Sequence, residues 1–133
     1  MTARAFAVRG KLDHIVLLAS DLGRSARWYD AFTPLLGFEK TSEHIYLHPD
    51  GWAIDLRAAD RNGASYGRFN PGLNHIGLRV ARADDVLAFR DAFAAKGFAV
   101  PEPQIFDEVE TVVFFADPDG VRWEIGHEIG SEA

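Results

Sequence analysis

One short pattern occurs twice, and its repetition limits what the chain can fold into more than any other feature. Asp13-His14-Ile15-Val16-Leu17 returns as Asn74-His75-Ile76-Gly77-Leu78, 61 positions later (14 to 75). At the same offset Asp30-Ala31-Phe32 returns as Asp91-Ala92-Phe93, and Leu36-Gly37-Phe38 returns 60 positions on as Lys96-Gly97-Phe98. Late in each half, Pro49-Asp50-Gly51 precedes Asp55 and Pro118-Asp119-Gly120 precedes Glu124, both shifted by 69. Self-similarity of this kind marks a duplicated supersecondary unit. Each copy carries one histidine near its start and one carboxylate near its end.

The local pattern of each copy reads βαβββ. Residues 12–19 are apolar and β-branched, a strand; Ser20-Asp21 then offers an N-cap. Leu22, Ala26, Tyr29, Phe32 and Leu36 recur at spacings of three or four, giving an amphipathic helix that Pro34 ends early and Gly37 terminates. Three short strands are expected between residues 38 and 56, broken near Ser42-Glu43 and at the Pro49-Asp50-Gly51 turn. In the second copy 73–80 is a strand, and Asp84 or Asp85 opens a helix whose Val86, Phe89 and Phe93 face the sheet. Gly97 ends it, and strands follow near 103–106, 111–116 and 121–127. Between the copies, 58–72 holds Asn62-Gly63, Gly67 and Pro71-Gly72, a linker loop and candidate lid.

The expected architecture is α+β: two βαβββ modules forming a cupped mixed sheet with helices on the outer face. One domain over 1–133 is expected, with module 1 at about 11–57, the linker at 58–72 and module 2 at about 73–128, because neither half is large enough to bury a core alone. The 47 % hydrophobic and 12 % aromatic content suffices for that core. A formal net charge of −6 argues against a nucleic-acid partner. The absence of cysteine excludes disulfides, thiolate ligands and thiol catalysis. No apolar run approaches the ~20 residues of a membrane span, and the start, with Arg4 and Arg9, has no apolar signal core; a cytoplasmic, soluble protein is the expectation.

Strand side chains alternate between faces, so the pattern decides which groups meet. His14 goes with Leu12, Val16 and Leu18; Asp55 with Ala53 and Arg57; His75 with Gly77 and Arg79; Glu124 with Arg122 and Gly126. Each matched residue is assigned to the less apolar face of its strand, opposite the helix. Two imidazoles and two carboxylates then line one cup, where a shared cation would satisfy them at less cost than burying them unpartnered. Nitrogen and oxygen donors without sulfur suit Zn, Ni, Fe(II) or Mn(II).

These features, together with Trp28-Tyr29 in the first helix and Asp117-Pro118-Asp119-Gly120 ahead of Glu124, resemble the vicinal oxygen chelate superfamily over residues 11–128. That group includes glyoxalase I, fosfomycin-inactivating thiol transferases, extradiol dioxygenases, methylmalonyl-CoA epimerase and bleomycin-binding proteins. The resemblance implies a divalent metal ion held at His14, Asp55, His75 and Glu124, the four-ligand pattern of glyoxalases. The thiol transferases and dioxygenases use two histidines and one carboxylate, matched by His14, His75 and Glu124.

The leading expectation is a glyoxalase-type lyase or isomerase that chelates vicinal oxygens of a small substrate and stabilises an enediolate or similar oxyanion, with Glu124 or Asp55 moving the proton. Alternatives are an Fe(II) extradiol-type dioxygenase, a thiol transferase, or a non-catalytic antibiotic-binding protein of the bleomycin-resistance kind. Glutathione-using glyoxalases carry an arginine and an asparagine where this chain has Leu18 and Ala59, which leaves glutathione without its usual contacts. Arg57, Arg79 and Arg122 share the ligand faces and are candidates for holding an anionic substrate group. Tyr66 and Arg68 could close over a ligand. His44 and His48 are expected at the surface, and His127 in packing. A homodimer is expected, with the cup either built within one chain or exchanged between two.

Overall fold

Ser20 ends the first strand, and Asp21 starts the first helix by accepting a hydrogen bond from the Arg24 amide at 3.0 Å. The computed structural model describes residues 6–130. In chain order the elements are β1 (His14–Ala19), α1 (Leu22–Phe32), a 3₁₀ turn (Pro34–Leu36), β2 (Glu39–Ser42), β3 (Ile45–Leu47), β4 (Ala53–Ala58), β5 (His75–Arg79), α2 (Ala83–Ala95), β6 (Gln104–Phe106), β7 (Glu110–Ala116) and β8 (Arg122–Glu128). This is βαβββ twice. Pro34 stops α1 at Phe32, and Gly37 takes the left-handed conformation at φ 84° that closes the turn. Gly97 does the same after α2, at φ 93°. The acidic first turn of α2, Asp84 and Asp85, suits the positive end of the helix dipole.

Each module folds its strands into one four-stranded mixed sheet, ordered β1-β4-β3-β2 and β5-β8-β7-β6. The first and last strands of a module pair in parallel, and the others run antiparallel. Among the described residues no ladder joins β1 to β5. The expected α+β fold of two βαβββ modules is what the chain forms, each module contributing its own four-stranded mixed sheet.

What joins the modules is the core. Phe32 of α1 lies edge-on to Phe89 and Phe93 of α2 and to Phe115 of β7, at centroid distances of 5.2–5.5 Å. Tyr29 donates to Asp117 Oδ2 at 2.7 Å and accepts from Trp123 Nε1 at 3.0 Å, a buried link across modules. Ser20 binds Asp119 through its amide at 3.0 Å and through its hydroxyl. Phe32, Phe93 and Trp123 are fully buried, and truncating such a ring costs about 3–5 kcal/mol. The faces of the two sheets that carry Ile54, Leu56, Val113, Phe115, Trp123 and Ile125 are committed to this shared core. The opposite faces are left open, and the matched histidines and carboxylates stand on them.

Candidate functional site

Register places the two half-sites in the same way. In module 1 His14 pairs with Ala53 and Val16 with Asp55, so the histidine and the carboxylate sit diagonally on neighbouring parallel strands. In module 2 His75 pairs with Arg122 and Gly77 with Glu124, repeating the diagonal. His75 Nε2 faces Glu124 Oε2 at 3.6 Å. That separation is too long for a hydrogen bond.

The ring tautomers are set from behind. His14 Nδ1 lies 2.7 Å from Asp13 Oδ2, and His75 Nδ1 lies 2.7 Å from Asn74 Oδ1. A carboxylate oxygen and an amide oxygen only accept, so in both rings Nδ1 is the donor, and in the neutral form of such a ring the lone pair is on Nε2. The Asn74 amide is oriented in turn by donating its Nδ2 to the Arg68 carbonyl at 3.1 Å. A histidine whose second nitrogen is tied to an acceptor is the usual arrangement of a metal ligand. In module 2 Nε2 and a carboxylate oxygen lie 3.6 Å apart, close enough for one cation to reach both. Asp13 and Asn74 belong to the repeated motif itself. Their role was discernible from the one property they share, an acceptor side chain immediately before a histidine.

The two carboxylates differ. Asp55 accepts from Arg57 Nε at 3.0 Å and from its terminal nitrogen at 2.5 Å. The hydrogen bond from Arg57 holds the Asp55 carboxyl below the usual carboxylate range; the Arg57 and His14 charges act in the same direction, against partial burial. Glu124 has no such arginine, because Gly126 occupies the place of Arg57. Gly77 occupies the place of Val16, and a Cβ there would lie 3.1 Å from Glu124 Oε2. The copy with glycines leaves its carboxylate free to lean toward its histidine. The copy with Val16 and Arg57 ties its shorter carboxylate to the arginine.

The structure brings His75 together with Glu124, and it places His14 and Asp55 diagonally on neighbouring strands with Asp55 bound to Arg57. It does not bring the pairs together: among the described residues no three His, Asp or Glu side chains converge as an ion site within one chain. Of the three arginines, Arg57 is bound to Asp55. Arg79 borders a depression of about 220 Å³ together with Glu110, Glu124 and Glu128. Arg122 lies 4.1 Å from the centroid of Phe114, whose ring also meets His75 edge-on at 6.1 Å. Phe114 was hidden from sequence reasoning by its place in the apolar run Val112–Phe115.

A larger cavity of about 790 Å³ lies elsewhere, between β1, the linker and the Pro118-Asp119 turn. Around it and the His14 face, Leu12, Val16, Leu18, Phe69 and Leu73 are exposed. The His14 face of β1 is therefore strongly apolar, unlike the less apolar face expected for it. Tyr66 is held by the carbonyls of Leu73 and Asn74 at 2.7 and 3.2 Å, and Arg68 lies over Phe69 at 4.3 Å. His48 is not the surface group expected, because it stacks on Trp52 at 4.7 Å; His44 is half-buried, and His127 is packed as expected.

Residues 11–125 match the family model of the Glyoxalase/Bleomycin resistance protein/Dioxygenase superfamily. Among solved structures the chain is similar to a putative glyoxalase from Bacillus halodurans, with a TM-score of 0.74 and 22 % identity over 90 % of this chain and 96 % of that one. It is also similar to the genomically encoded fosfomycin resistance protein FosX from Listeria monocytogenes (TM-score 0.68, 16 % identity, 92 % and 97 % covered). A lactoylglutathione lyase from Agrobacterium tumefaciens aligns with a TM-score of 0.62 at 18 % identity, covering 90 % and 94 %. At these identities the likeness establishes the fold. No curated protein matches the sequence. No helix among the described residues is long and apolar enough to cross a membrane.

Proposed function

The chain belongs to the glyoxalase/bleomycin resistance protein/dioxygenase superfamily, and on that premise we propose that it is a divalent-metal-dependent enzyme of the glyoxalase type acting on a small molecule with two neighbouring oxygens. The observation that carries this reading is the pair of imidazoles tied at Nδ1 to an acceptor side chain, each diagonal to a carboxylate on an open sheet face. His14, His75 and Glu124 would hold the ion, with Asp55 as the fourth candidate. The ion would supply Lewis-acid polarisation of the two oxygens. Glu124, 3.6 Å from His75 and in no ion pair with an arginine among the described residues, is the group suited to take and return a proton.

The two half-sites lie on separate sheets of one chain, so the reading includes a homodimer in which module 1 of one copy faces module 2 of the other. The exposed Leu12, Val16 and Leu18 beside His14 support such a contact. Titrating metal-free protein with Co(II) tests the reading. One tight site per chain is expected, lost in His75→Ala; unchanged stoichiometry in that variant would refute the assignment.

A second reading has its own support. The Arg57–Asp55 pair favours a donor set of two histidines and one carboxylate, the set implied for extradiol-type oxygen chemistry or thiol transfer. Anaerobic Fe(II) loading followed by oxygen and catechols separates ring cleavage from isomerisation.

A further inference from the structure

Resting on the metal-site reading above, we propose that Arg122, laid across Phe114, is the specificity-determining cation of this site, and that the substrate is a carboxylate whose acid group lies a few ångströms from its two neighbouring oxygens.

Three arginines reach the open sheet faces, and their surroundings sort them. Arg57 spends Nε and a terminal nitrogen on Asp55, so its fork is occupied. Arg79 borders a depression shared with Glu110, Glu124 and Glu128, where an arriving anion meets three carboxylates. Arg122 has no carboxylate within ion-pair distance among the described residues, in a chain of net charge −6. An uncommitted guanidinium beside a candidate cation site calls for an anion from outside.

Phe114 explains how that guanidinium is held. The cation sits over the ring, 4.1 Å from its centroid, and a guanidinium that stacks on an aromatic face keeps its in-plane N–H groups available. A planar fork fixed in this way matches a carboxylate through two parallel hydrogen bonds. Register fixes where the carboxylate would lie. Arg122 pairs with His75 on the adjacent strand and stands two residues from Glu124 on its own, distances of about 5 and 7 Å by strand geometry. The acid group would therefore be a separate substituent, close to the chelated oxygens without being one of them. Phe114 pairs with Glu124 across β7 and β8, so platform, guanidinium and both module 2 donors form one contiguous patch.

The test uses Co(II)-loaded protein and two probes that share a vicinal-oxygen pair, catechol and its ring-carboxylated analogue protocatechuate, whose acid group is opposite the oxygens. Calorimetry of each probe should give protocatechuate at least about tenfold tighter binding, as a charge-assisted bidentate contact provides. Arg122→Met should bring the ratio to within about twofold through loss of protocatechuate affinity, and Arg122→Lys should restore only part of it. Phe114→Leu, which leaves the charge but removes the platform, should lower the ratio by about threefold or more. Equal affinity for the two probes in the wild type, or an undiminished ratio in Arg122→Met, overturns the proposal alone. Failure of the wild type to bind Co(II) overturns the metal-site reading and the proposal with it.

Discussion

If module 1 of one copy completes module 2 of another, two inactive variants should repair each other. His14→Ala removes a donor from one half-site and His75→Ala from the other. Both side chains are substantially exposed, 52 % and 38 %, so each truncation should cost no more than about 1 kcal/mol of stability. Loss of tight metal binding in either variant then reports ligation and not unfolding. When the two are unfolded together and refolded at equal concentration, random pairing makes about half of the dimers mixed. A mixed dimer has one site lacking both histidines and one site with every donor present. The sample should therefore recover about one quarter of the wild-type metal content, measured by Co(II) absorption and elemental analysis against each variant refolded alone. The arithmetic is specific to exchange. A cup closed within one chain gives no recovery at any mixing ratio, because every chain lacks one of its own donors. Recovery indistinguishable from zero, with both variants folded and dimeric, would refute the shared site.

Asp55→Ala should weaken Co(II) binding far less than Glu124→Ala, since Arg57 already occupies Asp55; equal or reversed losses in parallel titrations would restore Asp55 as a ligand. Asp13→Ala and Asn74→Ala, which free the histidine rings from behind, should each reduce metal affinity about 10–100-fold with little change in melting temperature. Tyr29→Phe should cost about 1–3 kcal/mol in urea unfolding, because Trp123 Nε1 and Asp117 lose a buried partner. Burial, then the neighbouring Asp117, raises the Tyr29 phenol well above its ordinary value. The folded state therefore keeps this proton longer than the unfolded chain. Its contribution is complete below about pH 10 and declines as pH rises past that value, so the wild type should lose urea resistance there more steeply than Tyr29→Phe.

Both the repeat and the strand alternation were readable because each rests on short-range periodicity. His14, His75, Asp55 and Glu124 occupy equivalent register positions, and no distant contact is needed to put them there. How the two halves meet was not readable. It depends on Tyr29 finding Asp117 and Trp123, 88 and 94 residues away, and that long-range packing assigns both helices to one core and leaves the donor faces open. The unequal standing of the two carboxylates lies between these cases. Asp55 and Glu124 look interchangeable until their strand neighbours are aligned. Then Val16 stands against Gly77 and Arg57 against Gly126, and both differences act in one direction, leaving space for Glu124 and an ion-pair partner for Asp55. Similarity between the copies therefore says where donors stand, and dissimilarity at the flanking positions says which of them is free to donate. By the same reasoning Arg122 matters because its counterpart in the first copy is Ala53, so the cation and its Phe114 platform belong to one half alone and any anion held there must bind asymmetrically.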